Sequence, residues 1–183
     1  MSQHGALENL VVLDLTRVLA GPFCTMMLAD MGAKVIKIEM PVSGDDTRAY
    51  PPFRTNCNGE RESLYFANIN RNKQGITLNL KAQEGKEIFK KLVETADIVV
   101  ENYRPGVMDK LGLGYDVLKE INPRIIYGSV SGFGNTGPYR LRPGYDILGQ
   151  AMGGLMAITG SKGGEPTRAG SAMGDILGGL HLT

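Results

Sequence analysis

Short apolar runs alternate with longer mixed segments along the chain, and this alternation predicts its elements. Residues 10–16 (LVVLDLT) form an apolar, β-branched run typical of a buried strand, and residues 34–40 (KVIKIEM) form a second one. Between them, residues 20–33 place Pro22 near the start and Gly32 near the end of a predicted helix. A strand, a helix and a strand in this order predict a βαβ unit with parallel strands.

The same alternation continues to the end of the chain. Residues 82–96 bring four apolar side chains onto one stripe of a predicted amphipathic helix: Ile88, Phe89, Leu92 and Val93. Three more strands are predicted, over residues 75–80, 97–103 and 124–132. Two short helices joined at 112–114 precede the last of these strands, another helix begins at Tyr145, and the polar residues 41–63 predict a long loop. The pattern predicts an α/β fold with an open, doubly wound, Rossmann-like parallel sheet.

Composition excludes several classes of function. Of the 183 residues, 42% are apolar and 21% are charged, and the net charge of +1 draws the chain neither to nucleic acid nor to an anionic membrane. No apolar run approaches the roughly 20 residues of a bilayer span, and the N-terminus lacks the pattern of a secretory signal. Cys24 and Cys57 lie far apart in the sequence, as expected of reduced thiols in a cytoplasmic protein.

Several motifs are explained better by a structural role than by a catalytic or binding role. Residues 132–137 spell G-x-G-x-x-G, but Pro138 follows instead of a helix, so a dinucleotide site is not expected. The only histidines are His4 and His181, and no group of side chains has the arrangement of a hydrolase triad or of metal ligands. The acids within residues 43–48 (SGDDTR) are expected in a solvated turn. Three methionines are expected in the core: Met26, Met27 and Met31.

Other segments leave two interpretations open. Residues 70–73 (NRNK) and 101–106 (ENYRPG) combine basic side chains with amides and an aromatic ring, so they either bind phosphates and a flat ring or form solvated loops. Asp175 is a lone acid among the small residues 170–179, at a predicted helix start. It is either a helix cap or a covalent nucleophile whose ionised form the helix start stabilises.

Taken together, these segments resemble the class III CoA-transferases, the formyl-CoA and carnitine-CoA transferase type. The resemblance runs from about Leu7 to the last residue and follows many motifs in the family's order. These motifs cover residues 13–39, 44–48, 70–80, 96–138, 144–160 and 166–175.

The resemblance implies a set of site residues and no resident cofactor or metal, with CoA and acyl-CoA as substrates. Asp175 matches the family's nucleophile. The residues that match its CoA-binding positions are Val18, Leu19, Ala20, Leu78, Lys81, Asn102, Tyr103, Arg104, Lys110, Arg142 and Tyr145. Leu19 stands where certain relatives carry Gln, and Met40 where some carry Arg near the adenosine phosphate, so these two contacts depart from the family's pattern.

The implied activity is transfer of CoA from an acyl-CoA to a small carboxylic acid through an aspartyl-CoA thioester. Family members are longer, with a second, smaller domain, and form interlocked homodimers. Residues 1–183 are therefore expected to be the CoA-binding portion of the large domain, without the small domain and the returning C-terminal segment. The alternatives are a CoA-binding module without turnover and a relative of the 2-methylacyl-CoA racemases. His181 could be taken for the base of a racemase, but the sequence context of Asp175 favours CoA transfer.

Overall fold

The computed structural model describes residues 5–55 and 57–183, and a five-stranded parallel sheet forms the centre of this part of the chain. The strands are β1 (Val11–Asp14), β2 (Lys34–Glu39), β3 (Phe53–Thr55), β4 (Arg61–Ser63), β5 (Gln74–Thr77), β6 (Ile98–Glu101) and β7 (Ile126–Ser129). The sheet has the order β5-β2-β1-β6-β7, while β3 and β4 form a separate antiparallel pair. Because the chain builds outward from β1 first on one side and then on the other, the winding direction reverses between β1 and β6. Ligands of such sheets bind at this reversal, beyond the carboxyl ends of the strands.

The described helices connect these strands. They are α1 (Ala20–Asp30), α2 (Leu64–Ile69), α3 (Gln83–Val93), α4 (Val107–Leu111), α5 (Tyr115–Ile121), α6 (Asp146–Met152) and α7 (Met173–Leu182), with 3-10 helices at Asp46–Ala49 and Leu155–Ile158. None of the helices in residues 5–55 and 57–183 combines the length and the apolar character that crossing a bilayer requires.

Helices cover both faces of the sheet. On one face, α3 and α5 bury Phe89, Val93 and Leu118 against strand residues such as Leu13 and Val99. On the other face, α1 packs against the sheet, and α7 packs against α1. Full burial of a large apolar side chain contributes about 1.5–3 kcal/mol, so these two layers stabilise the sheet from both sides. The predicted doubly wound α/β fold is confirmed.

A glycine sets the distance between α7 and α1. A Cβ atom added to Gly179 would lie 2.4 Å from the carbonyl oxygen of Ala20. Only a residue without a side chain permits this approach, because a real Cβ does not come so close to backbone. The approach places the second half of α7 directly against the start of α1.

Several local predictions are wrong. The region predicted as a loop, 41–63, contains a 3-10 helix and the β3–β4 hairpin. The buried Asp45 caps the 3-10 helix by accepting a hydrogen bond from the amide of Thr47. Ile88 and Met31 are exposed rather than buried. Helix α2 was not predicted from an apolar pattern. It begins after Ser63, whose hydroxyl accepts a hydrogen bond from an amide of the first turn of the helix.

Both cysteines are free thiols, Cys24 buried and Cys57 exposed, and His4 lies outside the described residues.

Candidate active site

A cavity of about 650 Å³ lies at the carboxyl ends of the sheet strands. Its lining comes from the segments that follow β1, β2, β5, β6 and β7 and from the first turns of α6 and α7. This is the place where the fold class predicts a ligand, because strand ends and helix starts meet there. Arg17, Lys81, Arg104 and Arg142 contribute positive side chains to the lining, which suits a ligand that carries phosphates.

Of the site residues implied by the family resemblance, the structure brings together all except one. Those that line the cavity are Val18, Leu19, Ala20, Leu78, Lys81, Asn102, Tyr103, Arg104, Arg142, Tyr145 and Asp175. Lys110 is exposed on α4 and lies outside the lining, because Val107 and Leu111 of that helix face the cavity instead. Met40, which departs from the family's pattern, also belongs to the lining.

Sequence reasoning missed other residues of the lining. Arg17 stands 3.7 Å from a carboxylate oxygen of Asp46, and its guanidinium lies 5.8 Å from the centre of the Tyr103 ring. Its position directly before Val18, at the end of a buried strand, is the signal that could have identified it. Ser131, whose buried hydroxyl has no hydrogen-bond partner among the described residues, and Asp146 also line the cavity.

The turn between β1 and α1 is held by a side-chain amide from the residue that follows β6, the strand next to β1. The amide group of Asn102 binds the backbone of Arg17 twice: Nδ2 donates to the carbonyl oxygen at 2.6 Å, and Oδ1 accepts from the backbone N–H at 2.8 Å. The next residue, Val18, has a φ angle of 68°, a left-handed conformation that is strained for a β-branched side chain. Asn102 therefore helps to fix a strained turn at the cavity wall.

Two buried ion pairs also help to hold this turn. Lys37 Nζ lies 3.0 Å from Asp45 Oδ2 and also donates to the carbonyl oxygen of Thr16 at 2.9 Å. Lys73 Nζ lies 3.0 Å from Asp14 Oδ2. Burial alone would raise the pKa values of Asp14 and Asp45, but the lysines and the hydrogen bonds hold both below the ordinary value.

These contacts correct two sequence-based interpretations. Lys73 of the NRNK segment is neither a phosphate ligand nor part of a solvated loop, because its ammonium group is buried against Asp14. Asp45 of the SGDDTR segment does not lie in a solvated turn, because it is buried against Lys37. Its neighbour Asp46 is exposed. No set of His, Cys, Asp and Glu within residues 5–55 and 57–183 is grouped so as to hold a metal ion.

A buried carboxyl group fixes the turn after β6. Glu101 accepts a hydrogen bond from the backbone amide of Tyr103 at 2.7 Å. Its burial raises its pKa, against the opposing effect of hydrogen bonds from Ser129, Tyr103 and Tyr127. Glu101 thus anchors the backbone between Asn102 and Arg104, two residues of the cavity lining.

Asp175 is the third residue of α7, so the prediction of a first-turn position is confirmed. Its carboxylate is partly buried and makes no hydrogen bond or ion pair within the described part of the chain. Burial, and then the nearby charge of Asp146, raise the pKa of Asp175. The sequence predicted the opposite influence from the helix start, so the surroundings of this carboxylate make it more basic than expected.

The glycine-rich context leaves space around this acid. Gly149, Gly174 and Gly178 line the cavity with Asp175, so three of its neighbours lack side chains. On the far wall, Gly132 and Gly144 are in direct backbone contact, since a Cβ added to Gly132 would lie 2.4 Å from the Cα of Gly144. An unpaired carboxylate with small neighbours is accessible to a bulky electrophile, which is the arrangement that a covalent nucleophile needs.

Comparison with known proteins gives consistent results. The family model CoA-transferase family III matches residues 7–183. The chain is 51% identical, over 99% of its length, to the human protein named succinyl-CoA:glutarate CoA-transferase, and 50% identical, over 97% of its length, to the acetyl-CoA:oxalate CoA-transferase of Acetobacter aceti. It spans less than half of these relatives, 40% and 45% of their respective lengths.

A solved structure shows the same fold. The crystal structure of a CaiB/BaiF family protein from Brucella suis matches with a TM-score of 0.94 and 48% sequence identity, over 98% of this chain and 47% of that one. The chain belongs to CoA-transferase family III.

Proposed function

We propose that this chain carries the CoA-binding site and the nucleophile of an enzyme that transfers CoA from an acyl-CoA to a dicarboxylic acid. The observation that carries the proposal is the accessible, unpaired carboxylate of Asp175 in a cavity lined with positive side chains. The class of acid is taken from the names of the relatives, which act on oxalate and glutarate. CoA and acyl-CoA enter as substrates, and no resident cofactor is proposed.

In the proposed binding mode, one set of lining residues binds the phosphates of CoA and another lies against the arm that leads to the thioester. Arg17, Lys81, Arg104 and Arg142 would pair with the phosphates of CoA, since guanidinium and ammonium groups bind phosphate oxygens well. The strained turn at Val18, with Leu19 and Ala20, would lie against the arm that leads to the thioester. Lys110 is exposed close to this cavity and remains a candidate for an outer phosphate contact.

The proposed reaction proceeds by acyl exchange at Asp175. The ionised carboxylate attacks the thioester carbonyl of the donor, the C–S bond breaks, and CoA leaves as a thiolate while a mixed anhydride forms. The thiolate then attacks the aspartyl carbonyl, which releases the donor acid as its carboxylate and leaves an aspartyl-CoA thioester. The acceptor carboxylate repeats these steps in reverse, so no net proton or electron is required.

The raised pKa of Asp175 is compatible with this role. A more basic carboxylate is a better nucleophile once it is ionised, and it is matched more closely to the operating pH. His181 is not placed to act as the base of a racemase, because it does not line the cavity and its ring binds the backbone of Leu177. The interlocked homodimer and the cytoplasmic location implied by the family resemblance remain predictions that accompany this proposal.

The test is an exchange assay with the purified protein. Succinyl-CoA and acetyl-CoA are each mixed with oxalate, glutarate or a monocarboxylate control, and the CoA thioesters are separated by chromatography. We expect a new thioester with at least one dicarboxylate, none with Asp175→Asn, and an unchanged rate with Asp116→Asn, which alters an exposed first-turn acid of α5. CoA binding without any exchange would favour the binding-module alternative, and full activity of Asp175→Asn would refute the assigned nucleophile.

A further inference from the structure

A side chain from α6 caps the helix that carries Asp175. Asp146 Oδ1 accepts a hydrogen bond from the backbone N–H of Gly174 at 2.8 Å. The residue that precedes α7 is Ala172, which has no side-chain group to cap the helix. Because the first amides of a helix lack intrahelical acceptors, the carboxylate of Asp146 supplies the missing partner from another element.

The remaining bonds of Asp146 involve two further side chains. Asp146 Oδ2 accepts from Gln150 Nε2 at 2.8 Å and from Arg168 Nη2 at 3.3 Å. Gln150 is buried, and it binds the segment before α7 on both sides: Oε1 accepts from the amide of Ala169 at 2.9 Å, and Nε2 donates to the carbonyl oxygen of Ser171 at 3.2 Å. We refer to Asp146, Gln150 and Arg168 as the Asp146 cluster.

Close packing accompanies these bonds. A Cβ added to Gly174 would lie 3.0 Å from the carbonyl oxygen of Asp146 and 3.2 Å from Oδ1. The backbones at the starts of α6 and α7 are therefore in contact, with little room for a change of angle. The cluster ties residues 168–174 to α6 by two side chains one helical turn apart, directly before Asp175.

We infer that the Asp146 cluster consists of positioning residues that fix residues 168–174 and thereby aim the carboxylate of Asp175 into the cavity. The importance of this aim for catalysis rests on the proposed function, whereas the fixing of the segment rests on the hydrogen bonds alone. Gln150 does not line the cavity, so its loss should affect the reaction of Asp175 and leave CoA binding intact.

The charge of the cluster adds a second effect. Asp146 from α6 faces Asp175, and Tyr65 from α2 is the other titratable group whose charge interacts with it. Asn at position 146 keeps an oxygen that can accept from Gly174 and removes the charge, but its Nδ2 replaces the oxygen that accepts from Gln150 and Arg168. In Asp146→Asn, the pKa of Asp175 should fall, so the acid limb of the rate of adduct formation should move to lower pH.

The test compares Gln150→Leu with Gln83→Leu, a matched control. Gln83 also donates to a carboxylate four residues away on its helix, that of Glu87, but it is exposed on α3 and does not line the cavity. Hydrogen exchange of the amides in residues 168–176 is followed by mass spectrometry, CoA affinity by calorimetry, and covalent adduct formation by intact mass.

For Gln150→Leu we expect amide exchange in 168–176 to accelerate about tenfold, because two backbone groups lose their side-chain partners. Adduct formation should slow by a similar factor while the Kd for CoA stays within about twofold, and Gln83→Leu should match the unaltered protein. Unchanged exchange in Gln150→Leu, or a parallel loss of CoA affinity, would overturn the inference. Absence of an adduct on the unaltered protein would instead count against the proposed function, and the exchange result would still decide whether the cluster fixes the segment.

Discussion

Replacement of Lys37 by Met should destabilise the fold strongly, because it breaks a buried ion pair. The Lys37 side chain is only 2% exposed and that of Asp45 is fully buried, with 3.0 Å between the charged atoms. Met nearly matches Lys in length and is apolar, so the site stays filled while Asp45 loses its cation. The carbonyl oxygen of Thr16 also loses the donor that it has at 2.9 Å.

The expected magnitude follows from the groups that remain. Loss of one partner of a buried pair costs about 3–5 kcal/mol, out of a total stability of about 5–15 kcal/mol. Asp45 keeps its hydrogen bonds from the amide and hydroxyl of Thr47, at 3.0 and 2.8 Å, so the lower end of that range applies. We therefore expect the free energy of unfolding to fall by about 3 kcal/mol at pH 7.

The pH dependence gives the prediction a second readout. In the native protein the pKa of Asp45 is lowered, so its contribution is present above the unfolded value of 3.8 and is lost as the pH falls through the folded value. Without Lys37, burial dominates and the pKa of Asp45 rises, so protonation relieves the cost. The difference in stability between Lys37→Met and the native protein should therefore shrink as the solution is acidified.

Urea unfolding at pH 7 and pH 5 measures both effects. Lys34→Met is the control, because Lys34 lies on the same strand and is exposed, and its stability should stay within about 0.5 kcal/mol of the native value. The double variant Lys37→Met with Asp45→Asn should recover part of the loss, since no uncompensated charge remains. Equal stabilities of Lys37→Met and Lys34→Met at pH 7 would refute the reasoning.

Two other substitutions test the walls of the cavity. Asn102→Ala removes both hydrogen bonds to the backbone of Arg17 and should weaken CoA binding about tenfold by calorimetry; an unchanged Kd would show that the turn holds its shape without them. Gly179→Ala places a methyl group 2.4 Å from the carbonyl oxygen of Ala20 and should lower the free energy of unfolding by about 1–3 kcal/mol. Gly178→Ala in the same helix is the control, because its added Cβ would lie 3.7 Å from its nearest neighbour. Equal melting temperatures of the two variants would contradict the close contact at Gly179.

The framework of the fold could be predicted from the order of apolar runs. The runs that became β1, β2 and β6 are continuous and rich in β-branched residues, because these inner strands of the parallel sheet are covered on both faces. Once the parallel sheet is predicted, the carboxyl ends of its strands mark the cavity. The predicted strands nevertheless extend beyond the observed ones, because chain segments leave the ladder before their apolar character ends.

The buried charges could not be predicted in the same way. Lys37 and Lys73 look like solvent-exposed residues in sequence, and their burial depends on Asp45 and Asp14, which only the folded chain brings close. Lys73 and Asp14 are separated by 59 positions. The pKa of Asp175 is likewise raised by burial and then by the charge of Asp146 on another helix. Both depend on the folded chain, so the sequence pattern around residue 175 alone predicted the wrong direction for this pKa.

The most direct test of the account is intact-mass spectrometry of the purified protein after incubation with succinyl-CoA or acetyl-CoA. The account predicts an added mass that corresponds to CoA, located at Asp175, released by hydroxylamine and absent from Asp175→Asn. An adduct of the same size on the Asp175→Asn variant, or no adduct on a folded native protein that binds CoA, would contradict the assignment of Asp175 as the covalent nucleophile.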